Sequence, residues 1–240
     1  CMGQKAFRLL FQILTAVFFF TAVFFAGRQA AVLVDGNVRQ REDGRRDGYC
    51  VVIDSGHGGN DPGKIGVNGE KEKDINLAVA KRLAVLLRQA DVEVVMTRTD
   101  DAGLYDEGAS RKKVQDMKRR IALMEEAEPD AVVSIHQNSY PDPSVKGAQV
   151  FYYTGSAGGK ALAERIQNRL VKGLDPSNRR TVKENDSYYL LKKTTSPIVI
   201  VECGFLSCPQ EAKALSDPVY QERAAWQICM GILQYLKTGK

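Results

Sequence analysis

Apolar positions along the chain fall into two regimes. Residues 9–26 run almost without a polar group, with Lys5 and Arg8 ahead of them and Arg28 behind. A run of about 18 such residues sits at the lower edge of what spans a bilayer. It is apolar on every side, unlike a helix that packs one stripe on a core. Around Phe24-Phe25-Ala26-Gly27-Arg28-Gln29-Ala30-Ala31 no small residues are spaced for signal cleavage. We therefore expect a short cytoplasmic N-terminus at 1–8 and an uncleaved membrane anchor at 9–27, with a cleaved signal segment as the alternative. Residues 28–48 then reverse the pattern: Arg39, Arg41, Glu42, Asp43, Arg45, Arg46 and Asp47 alternate with Gly36, Gly44 and Gly48. Such a segment buries too little to fold and reads as a charged, flexible linker.

From Tyr49 onward the pattern is that of a folded unit. Short apolar runs at 51–54, 92–97, 131–135, 149–153 and 198–201 predict strands. Helical spacing predicts helices over 75–88, 117–124, 161–171 and 220–236, the first with Val79, Leu83, Leu86 and Leu87 on one face and Asp74 as its cap. Alternating strands and helices, with strands apolar almost throughout, imply an α/β fold: a mostly parallel sheet covered by helices on both faces. No internal repeat is visible, and a single domain at 49–240 is expected.

Composition narrows the function classes. The chain has 240 residues, 44% hydrophobic and 26% charged, with a formal charge of +5. That mild excess suits a solvated surface or attraction to an anionic polymer. No groove pattern of aromatic residues among Lys and Arg appears, so nucleic acid is excluded as a partner. The five cysteines (Cys1, Cys50, Cys203, Cys208, Cys229) are odd in number and scattered, which is not a disulfide framework.

The candidate chemistry concentrates at the ends of predicted strands. The chain has two histidines. His57 lies in Asp54-Ser55-Gly56-His57-Gly58-Gly59 and His136 in Ser134-Ile135-His136-Gln137-Asn138, each just past the last apolar residues of a strand. The carboxyl edge of an open α/β sheet is where ligands bind. Two histidines alone make a poor zinc site, because catalytic zinc takes three protein ligands and leaves a position open. An acid is the third candidate, and Glu70, Glu72 and Asp74, which precede or open the first helix, are nearly equivalent by position, with Asp74 best suited to capping. Glu202 follows the buried run Ile198-Val199-Ile200-Val201, and in a cleft it would act as a general base with a pKa raised by burial.

These residues carry a resemblance. Val51-Val52-Ile53-Asp54-Ser55-Gly56-His57-Gly58-Gly59, Glu72-Lys73-Asp74-Ile75-Asn76-Leu77, Met96-Thr97-Arg98, Ser134-Ile135-His136-Gln137-Asn138 and Val201-Glu202-Cys203-Gly204-Phe205-Leu206-Ser207 resemble the zinc-dependent N-acetylmuramoyl-L-alanine amidases of the amidase-3 type. The similarity extends over residues 49–236. It implies a twisted, mostly parallel sheet flanked by helices, one Zn2+ per chain held by His57, Glu72 and His136, and Glu202 as the catalytic acid/base. The activity implied is hydrolysis of the amide between N-acetylmuramic acid and L-alanine in peptidoglycan.

Finer features resemble the spore-specific branch: the N-terminal anchor, the basic stretches Ser110-Arg111-Lys112-Lys113 and Lys118-Arg119-Arg120, the strand Lys146-Gly147-Ala148-Gln149-Val150-Phe151-Tyr152-Tyr153, and no appended wall-binding repeats. That branch implies a role in muramic-δ-lactam formation in the forespore or cortex space of a spore-forming bacterium; the N-terminal segment, anchor or signal, places the domain outside the cytoplasm, and some members of the family depend on an accessory protein for metal loading or activity. A catalytically silent wall-binding regulator and a zinc hydrolase of another wall amide are the alternatives. Three departures from the family pattern stand out. Ser55 occupies a usual proline position, expected to be a tolerant loop site. Gln137 is larger and more polar than usual beside His136 and is expected to narrow the cleft. Cys203 reads as a small buried hydrophobe, with metal ligation or oxidation with Cys208 as alternatives.

Overall fold

A computed structural model of the chain describes residues 48–238. The expected N-terminus at 1–8, the apolar segment at 9–27 and the linker at 28–48 apart from Gly48 lie outside the described residues. Among the described residues no helix is long and apolar enough to cross a membrane.

The elements run β1 (Cys50–Ser55), α1 (Glu72–Gln89), β2 (Glu93–Met96), α2 (Lys112–Glu126), β3 (Ala131–Asn138), β4 (Gln149–Tyr153), α3 (Ala157–Gly173), β5 (Lys183–Asn185), α4 (Tyr189–Lys193), β6 (Ile198–Phe205), α5 (Pro209–Leu215) and α6 (Pro218–Thr238). The strands form one six-stranded sheet in the order β2-β1-β3-β6-β4-β5. β1 is parallel to β2 and β3, β3 to β6, and β4 to β5; β4 alone runs antiparallel to its neighbour β6. The expected mostly parallel sheet is therefore present.

The pleat explains why the strand runs are apolar throughout. Val51, Ile53, Val133, Ile135, Val199 and Val201 face one side, where they meet Leu83 and Leu87 of α1, Ile166 and Leu170 of α3, and Ile228 and Ile232 of α6. Val52, Val132, Ile198 and Ile200 face the other, against Met124 of α2 and Leu190 and Leu191 of α4. Alternate residues of one strand thus enter two cores, and each fully buried aliphatic side chain contributes roughly 1.5–3 kcal/mol.

The start of α1 departs from expectation. Asp74 does not cap it: the helix begins at Glu72, Lys71 stands at the cap position without a side-chain bond, and Asp74 is exposed in the first turn. Backbone carbonyls take over the capping. Glu72 N–H donates to Lys64 O at 2.9 Å and Lys73 N–H to Pro62 O at 3.1 Å. The first-turn donors that an acid would satisfy are thus tied to the segment before the helix, which fixes that segment beside β1.

Candidate active site

His57 leaves the end of β1 in a left-handed conformation, φ 62°, which a non-glycine residue adopts only under constraint. The constraint is visible. Gly58 and Asp61 exchange backbone hydrogen bonds at 3.0 and 3.1 Å, a tight turn that needs Gly58 at φ 133°. Two buried guanidinium groups clamp the backbone ahead of the turn. Arg98 donates from Nε to Ser55 O at 3.0 Å and from Nη2 to Gly56 O at 3.2 Å. Arg120 donates from Nη1 to Ser55 O and from Nη2 to His57 O, both at 2.7 Å.

Arg120 is itself anchored by Asp54, 2.7 Å from Nη1, and by Asp116, 2.6 Å from Nε. Asp54 also accepts from Thr97 Oγ1 at 2.8 Å and Ser134 Oγ at 2.6 Å. Burial alone would push the Asp54 carboxyl up, but the Arg120 charge and these bonds outweigh it and hold it below its ordinary value.

His136 lies inside β3, not beyond it, and is paired across the ladder with Glu202 of β6. Its imidazole packs directly on the β1 turn: a Cβ at Gly56 would overlap the ring. The two imidazoles stand edge to face, with centroids 5.0 Å apart. Glu72 sits between them at the first residue of α1. Its Oε2 is 3.2 Å from His57 Nε2 and its Oε1 is 2.9 Å from His136 Nδ1. Lys64 N–H, at 2.8 Å, and Gln137 N–H, at 3.1 Å, hold the carboxylate from behind. Burial opposes ionisation of Glu72, but hydrogen bonds and charge from His136 and His57 prevail and keep it far below the usual carboxylate range.

One nitrogen or oxygen from each of His57, Glu72 and His136 falls within 4.8 Å of the others. Of the three acids the sequence left open, Glu72 is buried at this point, whereas Glu70 is bonded to Asn68 and Asp74 faces solvent.

Glu202 is 8% exposed, and its Oε2 has no hydrogen-bond partner among the described residues. Burial, opposed by the His136 charge and reinforced by the Glu72 charge, pushes its carboxyl up to about 7. All four residues open onto one cleft of about 790 Å3, lined also by Tyr105, Lys112, Lys113, Tyr188 and Tyr189. Tyr188 rests on Phe151, with ring centroids 5.5 Å apart.

Ser55 is the buried last residue of β1, not a loop position, and its N–H, which proline would lack, donates to Thr97 Oγ1 at 3.3 Å. Gln137 lines the cleft, with its amide committed to Asn76 Oδ1 at 3.1 Å. Cys203 and Cys208 are free and buried, and Cys203 sits in the hydrophobic core with Val201 and Leu206, as a small buried hydrophobe does.

The sequence reading missed three contributors. Arg120 is quoted only as part of a basic stretch; a charge run carries no sign of which member turns inward. Arg98 belonged to a quoted motif without a role. Asp61, 3.0 Å from His57 Nδ1, had one available signal: it is a carboxylate four residues past a histidine in a glycine-rich turn.

Known proteins share this architecture. The family model for N-acetylmuramoyl-L-alanine amidases matches residues 51–234. A germination-specific N-acetylmuramoyl-L-alanine amidase of Bacillus subtilis is 38% identical over 191 residues, covering 78% of this chain and 80% of its own. The CwlD amidase of Clostridioides difficile, solved in complex with the GerS lipoprotein, superposes with a TM-score of 0.77 at 39% identity, covering 79% of this chain and 98% of that one. An N-acetylmuramoyl-L-alanine amidase of Clostridium difficile 630 does so at 0.72 and 34% identity, covering 81% and 100%. The match spans the turn that bears His57, the strands that bear His136 and Glu202 and the helix that opens on Glu72, so the resemblance read from five short motifs holds across the sheet: the chain belongs to the N-acetylmuramoyl-L-alanine amidase family and is an amidase of peptidoglycan.

Proposed function

We propose that His57, Glu72 and His136 hold one catalytic zinc ion and that Glu202 is the acid/base in hydrolysis of the N-acetylmuramic acid to L-alanine amide. The observation that carries this reading is the meeting of the three donors within 4.8 Å beside a buried carboxylate oxygen that has no partner among the described residues. The donor chemistry fits: two imidazoles and one carboxylate are a three-ligand set that leaves a coordination position open. When bound, zinc supplies Lewis acidity, lowering the pKa of a water toward ~7 and offsetting the charge that develops on the carbonyl oxygen.

The chain's own residues do the rest. Glu202 takes the proton of the attacking water at its unpartnered oxygen and returns it to the L-alanine nitrogen as the amide bond breaks. A carboxyl raised to about 7 by burial suits both halves, since a general acid–base group works best near ambient pH. The tyrosines and lysines along the cleft give the glycan and its acidic stem peptide apolar faces and positive charge to rest against.

The finer role follows from similarity to the germination-specific amidase and to the CwlD amidase. We read this chain as a spore-cortex enzyme. It acts outside the cytoplasm behind an N-terminal anchor at 9–27 and a linker at 28–48, with residues 49–240 as the catalytic domain. It strips stem peptides from muramic acid that goes on to δ-lactam. The GerS lipoprotein bound to that neighbour supports an accessory partner here too.

Mass spectrometry of peptidoglycan digested by the zinc-loaded chain tests the activity. Peptides beginning with L-alanine and muramic acid with a free lactyl carboxylate are expected. Cleavage at another amide, or glycan binding without release even with partners present, overturns it.

A further inference from the structure

His57 and His136 reach Glu72 differently, and the difference singles out a further residue. His136 turns Nδ1 to Glu72 and is held by the β3 ladder and by the close approach of Gly56 to its ring. Among the described residues no carboxylate is bonded to its Nε2. His57 turns Nε2 to Glu72 and comes from a turn, where no ladder fixes its ring. What fixes it is Asp61, whose Oδ2 lies 3.0 Å from His57 Nδ1.

The Asp61 carboxylate is itself held. Its Oδ1 accepts from Gly63 N–H at 3.1 Å, the Gly58–Asp61 backbone exchange sets its direction, and Lys113 Nζ from α2 stands 3.5 Å from Oδ2. An ionised carboxylate only accepts hydrogen bonds, so the Asp61 contact favours a proton at Nδ1. The other nitrogen, Nε2, faces Glu72 Oε2 at 3.2 Å; a metal ion taken up there would replace that contact, and a proton held at Nδ1 would leave the Nε2 lone pair free for it, while the Asp61 bond sets the angle of the ring.

We propose that Asp61 is a positioning residue that fixes the tautomer and orientation of His57, so that Nε2 is presented to the metal. The proposal rests on the zinc reading above. Carboxylates bonded to the distal nitrogen of a ligating histidine raise its basicity, and their loss typically weakens metal binding by about 10–100-fold. Asp61 touches neither metal nor substrate in this role. Its side chain is 35% exposed, outside the buried core.

The test uses the full chain with Asp61→Ala and Asp61→Asn, and reads zinc affinity by competition with a chromogenic chelator. Asp61→Ala is expected to bind zinc about 10–100-fold more weakly. Asp61→Asn should fall between, because its carbonyl oxygen still accepts from Nδ1–H. The metal-free melting temperature should stay near that of the unmutated chain in both. In the zinc-loaded chain a slowly exchanging Nδ1 proton should be visible by NMR and vanish in Asp61→Ala. Affinity of Asp61→Ala within about threefold of the unmutated chain overturns the proposal, as does a loss matched by an equal fall in metal-free stability. Failure of the metal reading is separate: the unmutated chain would then bind no zinc, or a His57→Ala, His136→Ala double variant would bind it as well as the unmutated chain.

Discussion

Arg120 Nη2 donates to the carbonyl oxygen of His57 at 2.7 Å, so a residue on α2 holds the backbone of a candidate ligand that leaves β1. The same guanidinium is paired with Asp54 at 2.7 Å, and both side chains are almost wholly buried. A left-handed non-glycine residue costs about 1–3 kcal/mol and persists only where its surroundings over-determine it. Arg120 and Arg98 do so here, bonding the carbonyls of Ser55, Gly56 and His57.

Arg120→Met should therefore be severe. It leaves Asp54 buried without its cation, a loss of about 3–5 kcal/mol, to be read from urea unfolding. Adding Asp54→Asn should restore part of that stability, since the buried charge goes with it. Zinc affinity should stay low in the double variant because the His57 turn remains unclamped. Full recovery of zinc binding in the double variant would show that the clamp does not serve the site.

Acid should act through the same pair. The folded pKa of Asp54 is depressed below 3.8, so its contribution is present above that value and is lost as pH falls through the lower folded value. Stability against urea should decline below about pH 4. In Asp54→Asn the decline over that window should be shallower.

Glu202 has the opposite sign. Its folded pKa is raised from 4.5 to about 7, so its contribution is present below 4.5 and is lost as pH rises through about 7. In chelator-treated protein above neutrality, Glu202→Gln should melt higher than the unmutated chain. With zinc supplied, the same variant should keep the metal yet lose about 10²–10⁴-fold in turnover. A gain in stability together with a loss of activity is the signature of a side chain kept for chemistry. Near-normal release of L-alanine peptides by Glu202→Gln would refute the assigned acid/base.

Gly56→Ala should disturb the site without replacing any of the three donor side chains. The added methyl would overlap the His136 ring, and overpacking of this kind costs about 1–3 kcal/mol. His136 must turn away to relieve it, so zinc affinity should fall along with stability. A crystal structure of the variant with His136 unmoved would contradict this.

Much of this was legible in the sequence, for reasons particular residues make plain. Strands such as Val51-Val52-Ile53 and Ile198-Val199-Ile200-Val201 are buried on both sides and so carry no polar position to blur them. His136 and Glu202 were expected just past their strands because polar residues ended the apolar runs. In the fold, β3 and β6 continue through them as ladder partners, since backbone pairing does not stop where side chains change. The short elements Lys183–Asn185, Tyr189–Lys193 and Pro209–Leu215 escaped notice because none is long enough to show a period. Lys73, in a run that reads as solvated, is buried with Nζ on Asp101 and Gly59 O. Burial of a charge is decided by partners far along the chain, which local pattern does not contain.

The three donors come from the end of β1, the first residue of α1 and the body of β3, with Glu72 and His136 64 residues apart in the chain. An unfolded chain does not gather them, so an ion that binds all three binds the native state almost alone. By mass action such an ion adds about 2.7 kcal/mol when its free concentration is 100 times its dissociation constant. The melting temperature then becomes a gauge of metal in the surroundings. A protein purified in chelator and one purified in zinc would differ in thermal endurance before either met substrate.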